Sequence, residues 1–192
     1  VEWFDAPLNP AAPEGPSRKV PFTGELLIER ADFMEDAPKK YFRLKPDGEV
    51  RLKYTYIIKC NEIVKDADGN VVELKCTYDP STRPGSGEWR SVKGTIHWVS
   101  AAHAKEVELR LYDKLFTEPE MGSIPEGKDY KEYLNPDSLK VASGFAEPAL
   151  LEDNSGLAVQ FERVGYFFKD LDSTPEHFVF NKTTALKDSF KF

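Results

Sequence analysis

The feature that most constrains this chain is the length of its apolar runs. They are short, alternate apolar with polar at period two, and are broken every few residues by Gly, Pro, Asn or Asp. Period-two alternation puts every second side chain on one face, which is the signature of half-buried strands. Such runs cover Glu25–Glu29, Arg51–Val64, Val71–Tyr78, Arg90–Val99, Lys105–Lys114, Leu139–Phe145, Leu157–Phe168 and His177–Asn181. The clearest hairpin joins Arg51–Val64 to Val71–Tyr78 through Asp66-Ala67-Asp68-Gly69-Asn70, where Asp-Gly and Gly-Asn supply the positive φ of a tight turn. Short helices are expected at Pro38–Leu44, after Asn135-Pro136 and near Thr183–Leu186, with a turn at Ser100–His103. No stretch carries the amphipathic pattern of a bundle helix. Residues 7–16 hold four of the 14 prolines and read as extended loop. Many short strands with Gly/Pro turns imply an all-β protein of barrels or sandwiches.

Composition narrows the class. The 192 residues allow one large domain or two small ones, and 12% aromatics argue against disorder. No apolar run is long enough to span a bilayer as a helix, and two cysteines are too few for a disulfide scaffold. Val1-Glu2-Trp3-Phe4 has no signal-peptide character, so the start is expected to lie inside a longer cytoplasmic protein. A net charge of −7 argues against a general DNA or histone-like binder. The charge is uneven, however. Lys39–Lys59 carries seven basic residues against two acidic, a local +5, which leaves −12 for the remainder.

Residues able to do chemistry are sparse. His97, His103 and His177 lack metal-ligand spacing, and Cys60 and Cys76 lie symmetrically about Asp68, as reduced cross-strand neighbours would. Asp66-x-Asp68-Gly69-Asn70 lacks the later ligands of a calcium loop and is accounted for by the hairpin turn. No phosphate-binding glycine loop, nucleophile elbow or base-activated nucleophile occurs, so neither a metal nor a catalytic residue is expected. The basic segment is more informative. Arg51 and Lys53 are two apart on an expected strand and so share a face, Lys40 and Arg43 precede them, and Tyr41, Tyr54 and Tyr56 are interleaved. Residue types alone leave two readings open. One is a surface that clamps phosphates and stacks or hydrogen-bonds unpaired bases; the other is a solvated basic face with its tyrosines in the core.

Several stretches together resemble one family, the C-terminal anticodon-binding domain of glutaminyl-tRNA synthetases. They are VPFTGELLIERADF (20–33), EVRLKYTYIIK (49–59), KGTIHWVSAAHA (93–104), LRLYDKLF (109–116), NPDSL (135–139), GFAEP (144–148), QFERVGYF (160–167) and VFNKT (179–183). The resemblance implies two antiparallel β-barrels of the ribosomal protein L25-like type, with the anticodon loop bound by both. It places a discontinuous proximal barrel at residues 1–28 and 117–192 and a distal barrel at 29–116. By the same resemblance Gln160 and Arg163 meet the middle anticodon base, Arg43 the third, and Arg51, with Lys53 and Lys40, the first base and its phosphate. Lys53 stands where the family commonly has Arg, and a lysine keeps the charge but loses the bidentate fork. Lys40 stands where some members have Gln, and Phe42 where they have Lys. ATP and Mg belong to the family's catalytic domain, which this sequence does not include. The implied partners are tRNA(Gln) and that catalytic domain, in a monomeric enzyme. Alternatives are the same domain of an archaeal or eukaryotic-type glutamyl-tRNA synthetase, and a stand-alone RNA-binding barrel. One geometric tension stands: Gln160 and Arg163 have opposite parity, so both reach one base only if the strand ends, twists or bulges near Gly165.

Overall fold

The computed structural model describes residues 1–87, 90–152 and 155–186. Strands dominate, and the single α-helix among these residues, α1, is the five-residue Pro148–Glu152. The contacts divide the chain into two compact units, Val1–Ala104 and Lys105–Phe192.

The first unit holds β1 (Glu2–Pro7), β2 (Ser17–Phe22), β3 (Leu26–Leu27), β4 (Glu49–Leu52), β5 (Ile57–Lys65), β6 (Val71–Asp79), β7 (Thr95–Ile96) and β8 (Val99–Ser100). β1 and β2 pair antiparallel, and β3 pairs with β8. The larger sheet runs β6-β5-β4-β7. The Pro-rich stretch is the connection of the β1–β2 hairpin, closed by the Leu8 N–H donating to the Pro16 carbonyl at 2.9 Å. Neither flanking strand stands out by alternation alone, yet Phe4, Ala6 and Val20 drop into a core with Leu44, Leu52, Tyr56, Ile58, Ile96 and Trp98. Burial of such side chains, about 25 cal/mol per Å² of apolar surface, is what holds the layers together.

The β5–β6 hairpin forms as its turn chemistry predicts. The Asp66 carboxylate accepts from the Asp68 and Asn70 N–H groups, and Gly69 takes φ of 84°. Cys60 and Cys76 are register partners with free thiols, and burial pushes the Cys60 thiol above its ordinary pKa. The expected continuous strand Arg51–Val64 is instead two strands. A tight turn at Lys53-Tyr54-Thr55 separates β4 from β5, with Tyr54 at φ 65° and Thr55 N–H bonded to the Leu52 carbonyl at 2.9 Å. No helix forms at Pro38–Leu44; that segment runs irregularly beside a 3-10 turn at Arg30–Asp32.

The second unit holds β9 (Lys105–Tyr112), β10 (Leu139–Ala146), β11 (Val159–Phe161), β12 (Gly165–Lys169) and β13 (Phe178–Thr184) in one sheet, ordered β10-β9-β13-β12-β11. Val107, Ala146, Phe167 and Phe180 form its buried core, with Leu109, Phe161 and Phe178 packed against them. The helix expected near Thr183–Leu186 is absent because β13 continues to Thr184. The one expected after Asn135 is a turn, in which the Asn135 side chain accepts from the Asp137 N–H.

The chain is thus all-β, but the pairings leave open sheets, not closed barrels, and β4–β7 and β9–β13 are parallel ladders. Residues 1–28 pack into the first unit through Phe4, Val20, Leu26 and Ile28, while β9 joins the second unit's sheet. The contact boundary therefore falls after Ala104, whereas the resemblance placed boundaries at residues 28 and 116.

Candidate nucleic-acid interface

In the first unit, the segment from Lys40 to Arg43 alternates. The Tyr41 hydroxyl and Arg43 Nη1 both donate to the Ala31 carbonyl, at 2.9 and 3.0 Å, and the same Nη1 lies 3.3 Å from Oδ1 of the fully buried Asp32. Lys40 and Phe42 are exposed, Phe42 to 51%. These residues and Arg30, Ala31, Phe33 and Met34 line an open groove of about 910 Å³. The Lys93 ammonium lies 5.6 Å from the Phe42 ring centroid. Arg43, expected to read a base, therefore also works as a strut that ties the groove wall to the buried carboxylate. Its Nη1 is shared between Ala31 and Asp32.

Arg51 is placed differently from its expected role. It is 8% exposed; Nη1 donates to the carbonyls of Thr55 and Thr82 at 2.8 and 3.1 Å, and Nη2 to that of Arg90 at 2.9 Å. Burial, then the neighbouring Arg90, lowers its pKa, but from so high a value that the guanidinium stays charged. Arg90 is held in turn by Glu49 and Asp79. A buried guanidinium whose fork is spent on three carbonyls stitches β4 to the loops at 55, 82 and 90. It does not present that fork to a phosphate.

Lys53 no longer shares a strand face with Arg51, because β4 ends at Leu52. Its backbone is pinned at both ends: the N–H donates to the Ile96 carbonyl at 3.0 Å, and its carbonyl accepts from the Trp98 indole at 3.0 Å. Its ammonium lies 5.2 Å from the Tyr54 ring centroid, and the Arg18 guanidinium lies 5.9 Å from the same ring. A half-buried tyrosine carrying two cations, in a left-handed turn without glycine, is a cluster that sequence spacing does not show, since Arg18 comes from β2.

In the second unit the parity tension disappears. β11 ends at Phe161, and Glu162-Arg163-Val164 form the tip of a tight hairpin, closed by the Val164 N–H donating to the Phe161 carbonyl at 3.0 Å. Arg163 sits at this tip, exposed, at φ 62°. Gln160 is exposed on β11 opposite Tyr166, while Val159 and Phe161 turn inward. Gly165 has no room for a side chain: a Cβ there would lie 2.6 Å from the Thr184 carbonyl oxygen. The β12–β13 register slips at the next step, between Tyr166 and Phe167. Gln160 projects from the strand and Arg163 from the turn three residues on, so alternation does not govern the pair.

Among the described residues no group of three or more His, Cys, Asp or Glu side chains is placed to hold a metal ion. His103 bonds Ser100 through Nδ1 at 3.0 Å, and His177 lies 3.2 Å from Glu108. No helix of the described residues is long and apolar enough to cross a membrane.

Residues 1–79 match a family model described as tRNA synthetases class I (E and Q), anti-codon binding domain, and residues 95–170 match a second model of the same description. A glutamine–tRNA ligase of Rhodopirellula baltica is 48% identical over 191 residues, which cover 99% of this chain and 32% of that protein. That of Pseudomonas putida is 50% identical over 192 residues, covering 99% and 34%. That of Escherichia coli O1:K1 / APEC is 49% identical over 193 residues, covering 98% and 34%. The chain thus spans about a third of the length of the curated relatives it matches.

Proposed function

Because the chain belongs to the anticodon-binding domains of the class I (E and Q) tRNA synthetases, we propose that it reads the anticodon loop of tRNA(Gln) for a glutamine–tRNA ligase. The observation that carries this is the near-complete coverage of the chain by glutamine–tRNA ligases at 47–50% identity. Under this reading the chain performs no chemistry of its own. Glutamine activation, with its ATP and Mg²⁺, falls to the part of the protein outside this chain, in a monomeric cytoplasmic enzyme.

The second unit offers the middle base a complementary set. The Gln160 amide carries both a donor and an acceptor, which matches the N3–H and carbonyl edge of uracil, and the Arg163 guanidinium adds charged donors from the hairpin tip. Arg163 holds a left-handed conformation that non-glycine residues adopt at a cost of about 1 kcal/mol or more. Strain of that kind is tolerated where a side chain must project from a fixed point. The first unit offers Lys40 and Lys53 as cations toward phosphate, with Arg43 and Arg51 holding the backbone that presents them.

The test is aminoacylation by the full-length protein. Arg163→Ala and Gln160→Ala should each lower kcat/KM for the cognate transcript by roughly 10- to 100-fold, the span of one good base contact. Each should leave a transcript with a substituted middle base nearly unchanged, so that discrimination at that base collapses. Undiminished discrimination would overturn the placement of Gln160 and Arg163 at the middle base. Charging with glutamate in place of glutamine would overturn the ligase assignment.

A further inference from the structure

We infer that Phe42 is a base-stacking residue, whose ring receives one unpaired nucleotide of the RNA loop in the groove of the first unit. The inference rests on the anticodon-loop reading and deepens it.

The alternation between Lys40 and Arg43 carries the argument. Tyr41 and Arg43 both turn toward the Ala31 carbonyl. All four line the groove, but the exposed ones are Lys40, a cation, and Phe42, a planar apolar ring half in water. Exposure alone does not single out this ring, since Phe145 is as exposed; its place in the groove among cations does. The backbone at Phe42 is fixed. Gly94 packs so tightly against it that a Cβ would lie 2.3 Å from the Phe42 carbonyl oxygen and 3.0 Å from its carbon. The Arg51 N–H donates to the Gly94 carbonyl at 2.9 Å, which ties this contact to β4.

Charge selects the partner. Lys93 lies 5.6 Å from the ring centroid, and Arg30 and Lys40 line the same groove. Lys93 sits over one face of the ring, so a base would stack on the other face while its phosphate meets Lys40 or Arg30, an arrangement that suits a nucleotide. An apolar peptide would use the ring, but would have to desolvate the surrounding cations without compensation. Stacking reads no hydrogen-bonding edge, so Phe42 supplies affinity and orders the base, and selection among bases is left to polar neighbours.

The experiment uses the full-length protein and a fluorescein-labelled anticodon stem-loop, with affinity read by anisotropy. Phe42→Tyr and Phe42→Leu are each measured on the intact loop and on loops made abasic at each of the three anticodon positions. Phe42→Tyr should stay within about twofold. Phe42→Leu should weaken the intact loop by roughly tenfold, within the range for one stacked base, and this loss should vanish on one of the abasic loops. Urea unfolding of both variants, matching the unaltered protein, separates lost stacking from lost folding. An equal Phe42→Leu loss on every abasic loop, or no loss on the intact one, would overturn the stacking role while leaving the anticodon reading in place. If the unaltered full-length protein does not prefer the anticodon loop to a scrambled hairpin, both fall together.

Discussion

Arg51 shows how little a residue's type decides its work. Its charge and its place in a basic run point outward, yet its guanidinium donates to the carbonyls of Thr55, Thr82 and Arg90 in a nearly closed site. An Arg→Met exchange at this position keeps most of the bulk and leaves three carbonyls short of a donor. Each buried, unsatisfied polar group costs about 1–3 kcal/mol, although water reaches some of them once the fork is gone. Arg51→Met should therefore lower unfolding stability in urea by about 2–4 kcal/mol. The two roles separate on salt: a phosphate contact would instead leave stability unchanged and flatten the salt dependence of RNA binding. The same test applied to Arg43 asks about its bond to buried Asp32. These assignments were not legible from spacing, because three of the acceptors lie at positions up to 39 residues away and meet Arg51 only after the loops close. The local geometry of Gln160 and Arg163 was more legible: for both to meet one base their opposite parity needs a strand end, and the turn at Glu162–Val164 is one.

At the scale of elements, what could be read was what local chemistry controls. The β5–β6 hairpin follows from its Asp-Gly-Asn turn and alternation, and the Cys60–Cys76 pairing follows from the turn's centre. The β4–β5 break at Tyr54 left no mark, because that left-handed turn uses no glycine. α1 is too short to show a helical period. In the second unit, the parallel ladder of β9 and β13 sets Arg110 opposite Asn181, and this gives the sheet a pH dependence. Arg110 bonds Glu108 at 2.8 Å and Asp172 at 3.1 Å, and lies 3.5 Å from Asp170. Its hydrogen bond is the largest cause holding Glu108 below the usual carboxylate pKa. Asp170 is lowered first by the Asp172 backbone N–H, then by Asn181, with Arg110 adding to it. A carboxylate whose folded pKa is depressed contributes stability that is fully present above its unfolded pKa and is lost as pH falls through the folded one. The second unit should thus hold its stability above about pH 5 and lose it progressively below roughly pH 4. Arg110→Gln should flatten that acid limb, as read by urea midpoints across the range. An acid limb identical to the unaltered protein's would show that Arg110 is not its source.

The 192-residue chain carries −7, yet the partner proposed for it is a polyanion. The local +5 between Lys39 and Lys59 is smaller in effect than its count, since Arg51 is buried, Arg43 pairs with Asp32, and Lys59 lies 3.2 Å from Asp47. Lys39, Lys40 and Lys45 are exposed from that run, and Lys93 and Arg18 join from other strands and loops. Only charges within about 10 Å of a phosphate act on it strongly at moderate salt, so acidic side chains farther away than that set solubility and discourage indiscriminate RNA binding more than they oppose a docked loop. This fixes an expectation for salt. Each phosphate neutralised contributes a slope of about −0.7 to −0.9 to the log–log plot of affinity against salt, and a surface with this few cations engages roughly three to five. Binding of the anticodon stem-loop should therefore show a slope near −2 to −4. Lys40→Ala should reduce it by about one while weakening cognate and substituted loops alike, because a phosphate contact carries no base information. A slope near zero would mean that the loop is held without its phosphates. A slope near −8 would mean that the chain grips RNA by charge alone, and the modest, localised cations described for the first unit would then not be what holds it.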